Sequence, residues 1–239
     1  MPQRRVMIKT LLAILLLITI SIAKDIPTDN QIQGRLNIVN GASAECVMHH
    51  FYTNSGWIQI KGEIGRNGID GLYYKKKNGS IKEILVAESK WNKSRLGRSG
   101  KNKAVLQMSQ EWVLRTMNKL IKYNPTMPYQ SIRKLIEHNQ YRARLFKLKP
   151  VKNNKIQISI FKIKNKGSKA FDQIPESKLR PIDINAPKNS FEKGIVGAYN
   201  GCRKKYLLKY LPTLEAKSIA FLLQDNNIQN EDMKNIGSE

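Results

Sequence analysis

Residues 65–92 read GRNGIDGLYYKKKNGSIKEILVAESKWN. In the middle stands Asn78-Gly79, the dipeptide that most readily supplies two positive φ angles to a tight turn. Ile69–Tyr74 before it and Ile81–Ala87 after it are rich in β-branched, aromatic and aliphatic residues. This pattern predicts a β-hairpin. Ile84-Leu85-Val86-Ala87 is apolar at four consecutive positions, so its strand is expected to be buried on both faces.

Acids stand at the ends of these apolar runs. Asp70 lies near the start of the first strand, and Glu88 ends the second. With the turn at 78–79, position 70 falls opposite 87 or 88, so the two carboxylates converge. Lys90 follows Glu88 by two residues and shares its face of the strand. A carboxylate at the end of a buried strand is costly without a partner. A base, solvent or a metal ion can supply one. Two carboxylates, a backbone carbonyl and waters suit Mg²⁺, a hard ion that prefers oxygen ligands. The plainer readings are a Glu88–Lys90 ion pair, worth about 0–1 kcal/mol at a surface, and Asp70 capping the bend at Gly68.

Working outward, residues 24–40 are polar with few apolar anchors and read as a flexible lead-in. Ala42, Cys46, Val47 and Phe51 recur at helical spacing and predict a helix over 41–55 that carries Glu45. Trp57–Ile60 reads as a short strand. Residues 91–103 are polar, basic and glycine-containing, hence a loop. Ala104–Ile121 reads as an amphipathic helix, ended by Asn124-Pro125, and Ser131–Leu145 as a second, basic helix. "KIQISIFKIK", Lys155–Lys164, alternates as a strand with one apolar and one basic face. Residues 165–190 are rich in turn formers, and helices are expected at about 196–210 and 213–224. The order predicts an α/β fold with a small mixed sheet flanked by helices.

The chain begins with a basic segment (Arg4, Arg5, Lys9), an uncharged apolar run from Leu11 to Ile20, and Ser21-Ile22-Ala23. This is the pattern of a signal peptide cleaved after Ala23. The run is short for a membrane span, which needs roughly 20 residues. The expectation is therefore export to the periplasm or beyond the cell, without stable membrane insertion after cleavage. The 239-residue chain has a formal charge of +24, and the three bases of the leader leave +21. Export permits disulfides. Cys46 and Cys202 are the two cysteines; either they pair or they are buried thiols. Their spacing with the three histidines does not make a zinc site.

Such a charge points to a polyanionic partner. It also fits a solubility charge or a coding bias toward Lys, Asn and Ile. His138–Phe171 holds ten bases and no acid, interleaved with Tyr141, Phe146 and Phe161. That clustering is an electrostatic footprint of phosphate binding. Lys93, Arg95, Arg98, Lys101 and Lys103 on the 91–103 loop read as a phosphate clamp beside the two acids, or as a solvated loop.

The ordered set "GRNGIDGLYY…ILVAESK…QMSQEW" resembles the PD-(D/E)xK restriction-endonuclease-like nucleases, and most of all the nuclease domains of bacterial polymorphic and contact-dependent toxins. The resemblance covers roughly residues 41–121, within a core of 41–125. Residues 126–239 match no motif and would form a basic region completing or extending that core. The resemblance implies that Asp70 and Glu88 ligate Mg²⁺ (or Mn²⁺), with the Ser89 carbonyl as third ligand. It implies that Lys90 positions the attacking water and that Gln107, on the following helix, supports the site. Glu45 would complete the metal shell through water; a solvated helix glutamate is the alternative. The proline of the nominal motif is replaced by Ile69.

The expected activity is metal-dependent phosphodiester hydrolysis, with DNA as the substrate and an inhibitor or immunity protein as a possible partner. Two rivals are a non-catalytic nucleic-acid-binding protein on a degenerate nuclease fold and a secreted protein that binds anionic membranes. The basic segments lack the strong amphipathic apolar face that a membrane binder needs.

Overall fold

The computed structural model describes residues 29–64, 67–99, 105–164 and 173–211. The predicted leader, the helix at 213–224, Lys101 and Lys103 lie outside these residues.

Helix α1 runs Asp29–Asn54. It begins twelve residues earlier than the 41–55 expectation, through the segment read as a flexible lead-in. Leu36, Val39, Ser43 and Val47 make one buried stripe with Ala44, Met48 and Tyr52, at the spacing of three and four residues that keeps side chains on one helix face. Its end is a Schellman turn. The Trp57 amide donates to Tyr52 O at 3.2 Å and the Gly56 amide to Thr53 O at 3.0 Å.

The strands follow: β1 (Ile58–Ile60), β2 (Glu63–Ile64), β3 (Asn67–Gly68), β4 (Gly71–Lys77) and β5 (Ser80–Trp91). As expected, β4 and β5 form a hairpin, with Lys77 paired to Ser80. Asn78 (φ 52°) and Gly79 (φ 75°) both take the positive φ values of a type I′ turn. Two minor strands, β6 (Arg98–Ser99) and β7 (Val105–Leu106), pair with each other. Next come helices α2 (Gln110–Tyr123) and α3 (Met127–Glu137), strands β8 (Arg142–Val151), β9 (Lys155–Ile163), β10 (Gln173–Lys178) and β11 (Ile182–Asp183), and helix α4 (Ser190–Tyr210).

Other helix boundaries also differ from the sequence reading, and the helix expected at about 196–210 starts at Ser190. Helix α2 starts at Gln110 rather than Ala104, because Ser109 is its N-cap and accepts from the Trp112 amide. The basic helix expected over 131–145 ends at Glu137, with Asn139 at φ 58°. Its second half is instead strand β8.

The main sheet has the order β1-β4-β5-β8-β9-β10, with β11 also paired to β9. All its pairings are antiparallel except β5–β8. The chain reaches that parallel register through α2 and α3, the long crossover that parallel neighbours require. The fold is thus α/β, with a mixed seven-stranded sheet flanked by four helices among the described residues. The basic C-terminal half supplies β8 next to β5, so the two halves share one sheet.

Each sheet face carries a core. On one, Tyr73, Leu85, Ala87, Phe146, Leu148 and Ile158 pack with α1 and α4. Cys46 and Cys202 form a disulfide that ties these helices together. On the other, Leu72, Ile84, Val86, Ala143 and Leu145 pack with α2 and α3. Among the described residues, no helix is long and apolar enough to cross a membrane.

Candidate active site

Register makes the site. Gly71 pairs with Ala87, which sets Asp70 opposite Glu88 at the end of the hairpin. Gly71 must lack a side chain, since a Cβ there would stand 2.5 Å from Tyr73 Cε2 and 2.9 Å from Met48 Cε. The Ser89 amide donates to Asp70 Oδ2 at 2.9 Å, so backbone from the second strand holds the acid of the first.

Glu88 is 1 % exposed. Its Oε1 accepts from Lys90 Nζ at 2.8 Å and from Gln107 Nε2 at 2.5 Å. Its Oε2 is buried without a protein partner. Burial, and then the charge of Asp70, holds the Glu88 carboxyl well above the usual carboxylate range against the opposing pull of Lys90. Asp70 is raised as well, by burial first; the Ser89 amide eases this and the charge of Glu45 adds to it. Asp70 raises Glu88, while the side-chain hydrogen bond from Glu88 lowers Asp70, the pattern of two carboxyls placed to share one proton.

Gln107 reaches the site from a turn, not from the helix that the sequence predicted. It stands two residues before the Ser109 cap, beside Met108 at φ 70°. Its Oε1 accepts from the Gly97 backbone N–H at 3.0 Å, while the Gln107 backbone N–H donates to Gly97 O at 2.9 Å. One side chain therefore links the Glu88 carboxylate to the loop that leaves β5. Lys93, Arg95 and Arg98 on that loop are exposed.

Glu45 stands on α1. Its charge acts on Asp70 and on Tyr73, and its Oε1 lies 3.5 Å from His49 Nε2. His49 Nδ1 and the buried Tyr73 hydroxyl share a hydrogen bond of 2.6 Å. Sequence reasoning passed over His49 and Tyr73. The available signal was that His49 follows Glu45 by one helical turn. Among the described residues, no three His, Cys, Asp or Glu side chains gather as a metal-holding group. The close constellation is Asp70, Glu88, Lys90 and Gln107, with Ser89 contributing its backbone.

The donor set suits a hard divalent cation. Two carboxylates and a carbonyl supply only oxygen, and Glu88 Oε2 is buried without a hydrogen-bond partner. No protein-family model matches the chain, and no curated protein or solved structure matches it either.

Proposed function

We propose that the protein is an exported, divalent-cation-dependent nuclease that hydrolyses phosphodiester bonds, with DNA as its substrate, on a restriction-endonuclease-like core. The observation that carries this reading is the pairing of Asp70 with a buried Glu88 whose second oxygen lacks a partner, with Lys90 on the same face. A buried acid pair is unfavourable as architecture alone. It becomes favourable when a cation joins it. The resemblance of "GIDG…ESK…QMS" to PD-(D/E)xK nucleases supports the same assignment. So does the succession of α1, the three main-sheet strands β1, β4 and β5, helices α2 and α3, and then β8 in register beside β5.

In this reading Asp70, Glu88 and the Ser89 carbonyl would hold Mg²⁺ or Mn²⁺, and Glu45 would complete the shell of that ion through water. Such an ion polarises a phosphoryl oxygen and lowers the pKa of bound water. Lys90 orients the attacking water and offsets charge gathering on the phosphate. Water adds to phosphorus, one P–O bond breaks, and a phosphomonoester and a hydroxyl result. Gln107 holds Glu88 Oε1 in place and fixes the basic loop beside it. Lys93, Arg95 and Arg98 attract the phosphate backbone. Export and toxin-like use, with an immunity protein in the producing cell, belong to the same proposal.

The test uses the chain from Lys24 to Glu239 with plasmid, linear DNA and tRNA, each with Mg²⁺ and with EDTA. EDTA-sensitive cleavage that Asp70→Ala and Lys90→Ala abolish is expected. Equal cleavage by all three proteins would sink the assignment.

A further inference from the structure

The face of the sheet that carries Glu88 does not end at the site. Ladder register continues it across three more strands. Lys90 pairs with Lys147 on β8, Lys147 with Ser159 on β9, and Ser159 with Lys178 on β10. Paired residues point to the same side of a sheet, so these four side chains form one transverse row. Cores on the two sides verify the facing: Leu145, two residues before Lys147, packs with α2 and α3, while Phe146 and Leu148 pack on the opposite face.

The row is open and basic. Lys147 and Ser159 are half-buried and Lys178 is exposed. Lys147 leans toward the neighbouring row, with Nζ 5.2 Å from the centroid of Phe161. Nearby acids are directed elsewhere. Glu176 pairs with Arg144, and Arg144 lies on the other face between Ala143 and Leu145. Glu83 pairs with Arg142. Asp70 and Glu88 therefore supply the carboxylates of this face, at the row's inner end. With strands ~4.8 Å apart, the row spans about 14 Å. One strand of a duplex presents about four phosphates over that length, at ~3.4 Å each.

We propose that Lys90, Lys147, Ser159 and Lys178 form a track for the sugar-phosphate backbone of the strand being cut, running from Glu88 to the sheet edge at β10. The claim rests on the nuclease reading and extends it. It assigns the substrate path to the sheet face, in addition to the loop after β5. The lysines neutralise phosphates and the Ser159 hydroxyl donates to a phosphate oxygen. Such contacts position the polymer without reading its sequence.

The experiment measures binding of a fluorescein-labelled 20-base-pair duplex by anisotropy, in EDTA, from 50 to 200 mM KCl. Wild type is compared with a Lys147→Gln/Lys178→Gln double variant. Lys119→Gln/Lys122→Gln, at exposed positions of α2, removes the same charge elsewhere. The track predicts that the first pair weakens binding by roughly tenfold. It also predicts that the slope of log affinity against log salt loses about 0.9 per lysine. The control pair should stay near wild type, and Lys147→Arg/Lys178→Arg should restore the slope. Equal behaviour of the two glutamine pairs overturns the track, as does a wild type that fails to bind the duplex at 50 mM. Cleavage by wild type with Mg²⁺ is scored separately. Cleavage with an unchanged slope refutes the track and leaves the nuclease. A changed slope without cleavage refutes the nuclease and leaves the track.

Discussion

The two faces of the sheet differ in what they are built to do. Under α1 and α4 the face is closed: Tyr52, Tyr73, Phe146 and Tyr199 pack together with aliphatic side chains, Trp91 stacks on Tyr199, and a disulfide ties the two helices. Under α2 and α3 the apolar core stops short of the strand ends. Beyond it come Asp70, Glu88 and Lys90, and then the basic row on β8–β10. Burial stabilises roughly in proportion to apolar area removed from water, and the first face spends its side chains on that. The second places a buried carboxylate, Glu88, beside a half-buried one, Asp70, and a perturbed acid pair is a mark of sites rather than of scaffolds. The lesson is a division of labour: substitutions on one face should move stability and on the other should move chemistry.

The strongest attempt to break that division is Asp70→Ala or Lys90→Ala. Each is expected to cut Mg²⁺-dependent plasmid cleavage by about 10²–10³-fold, the loss that follows removal of one transition-state contact, with an unchanged far-ultraviolet circular dichroism spectrum. A large fall in Tm instead would make the pair structural.

On the closed face the reverse should hold. Cys46→Ser/Cys202→Ser, or reduction with dithiothreitol, opens a link between residues 156 apart. It should cost about 2–5 kcal/mol. At about 2–4 °C per kcal/mol, differential scanning calorimetry would record a clear drop in Tm. Specific activity at 25 °C should stay within about twofold, because the staple acts chiefly on the unfolded chain.

Gln107 bridges the site to its loop, and Gln107→Ala should lower cleavage by roughly tenfold, the scale of a residue that orients a ligand. Gln107→Glu should do more harm, placing a third acid against Glu88. Unchanged kcat in both variants would remove Gln107 from the site.

The smallest effect has an unusual sign. Glu88→Gln should abolish cleavage yet raise Tm at pH 7 in EDTA by about 2–4 °C, the shift that roughly 1 kcal/mol makes in a chain of this size. The folded-state pKa of Glu88 lies above its unfolded value, so the charged carboxylate destabilises the fold at neutral pH. As pH falls through the raised pKa the folded protein takes up a proton and the penalty fades. The advantage of glutamine should shrink toward pH 4–5. Adding Mg²⁺ should stabilise wild type alone, since an ion that binds the folded state shifts the unfolding equilibrium.

Much of the site was legible in sequence because it is local. Asn78-Gly79 sets the turn, the turn sets register, and register puts Asp70 across from Glu88, all within residues 70–88. Gln107 was found as a residue but placed on a helix, because hydrophobic spacing says little about where the Ser109 cap will stop it. The lead-in at 29–40 was missed for a different reason. Leu36 and Val39 look isolated in a polar segment, and their partners, Leu207 and Leu211, lie about 170 residues away. The strand β8 was hidden in the same manner. Arg142–Leu145 continues an apparently helical pattern, and its pairing to β5 is parallel and distant in sequence.

The sequence by itself determined the hairpin, the facing acids, the lysine on their side and the excess of bases, since each follows from short-range periodicity, turn chemistry or charge. Tertiary structure decided the rest. It chose the cysteine pair, drew Glu45 toward Asp70 and His49 against Tyr73, and inserted β8 beside β5 so that Lys147 and Lys178 line up with Lys90. Those outcomes depend on which distant apolar surfaces bury one another, and no window of neighbouring residues carries that information.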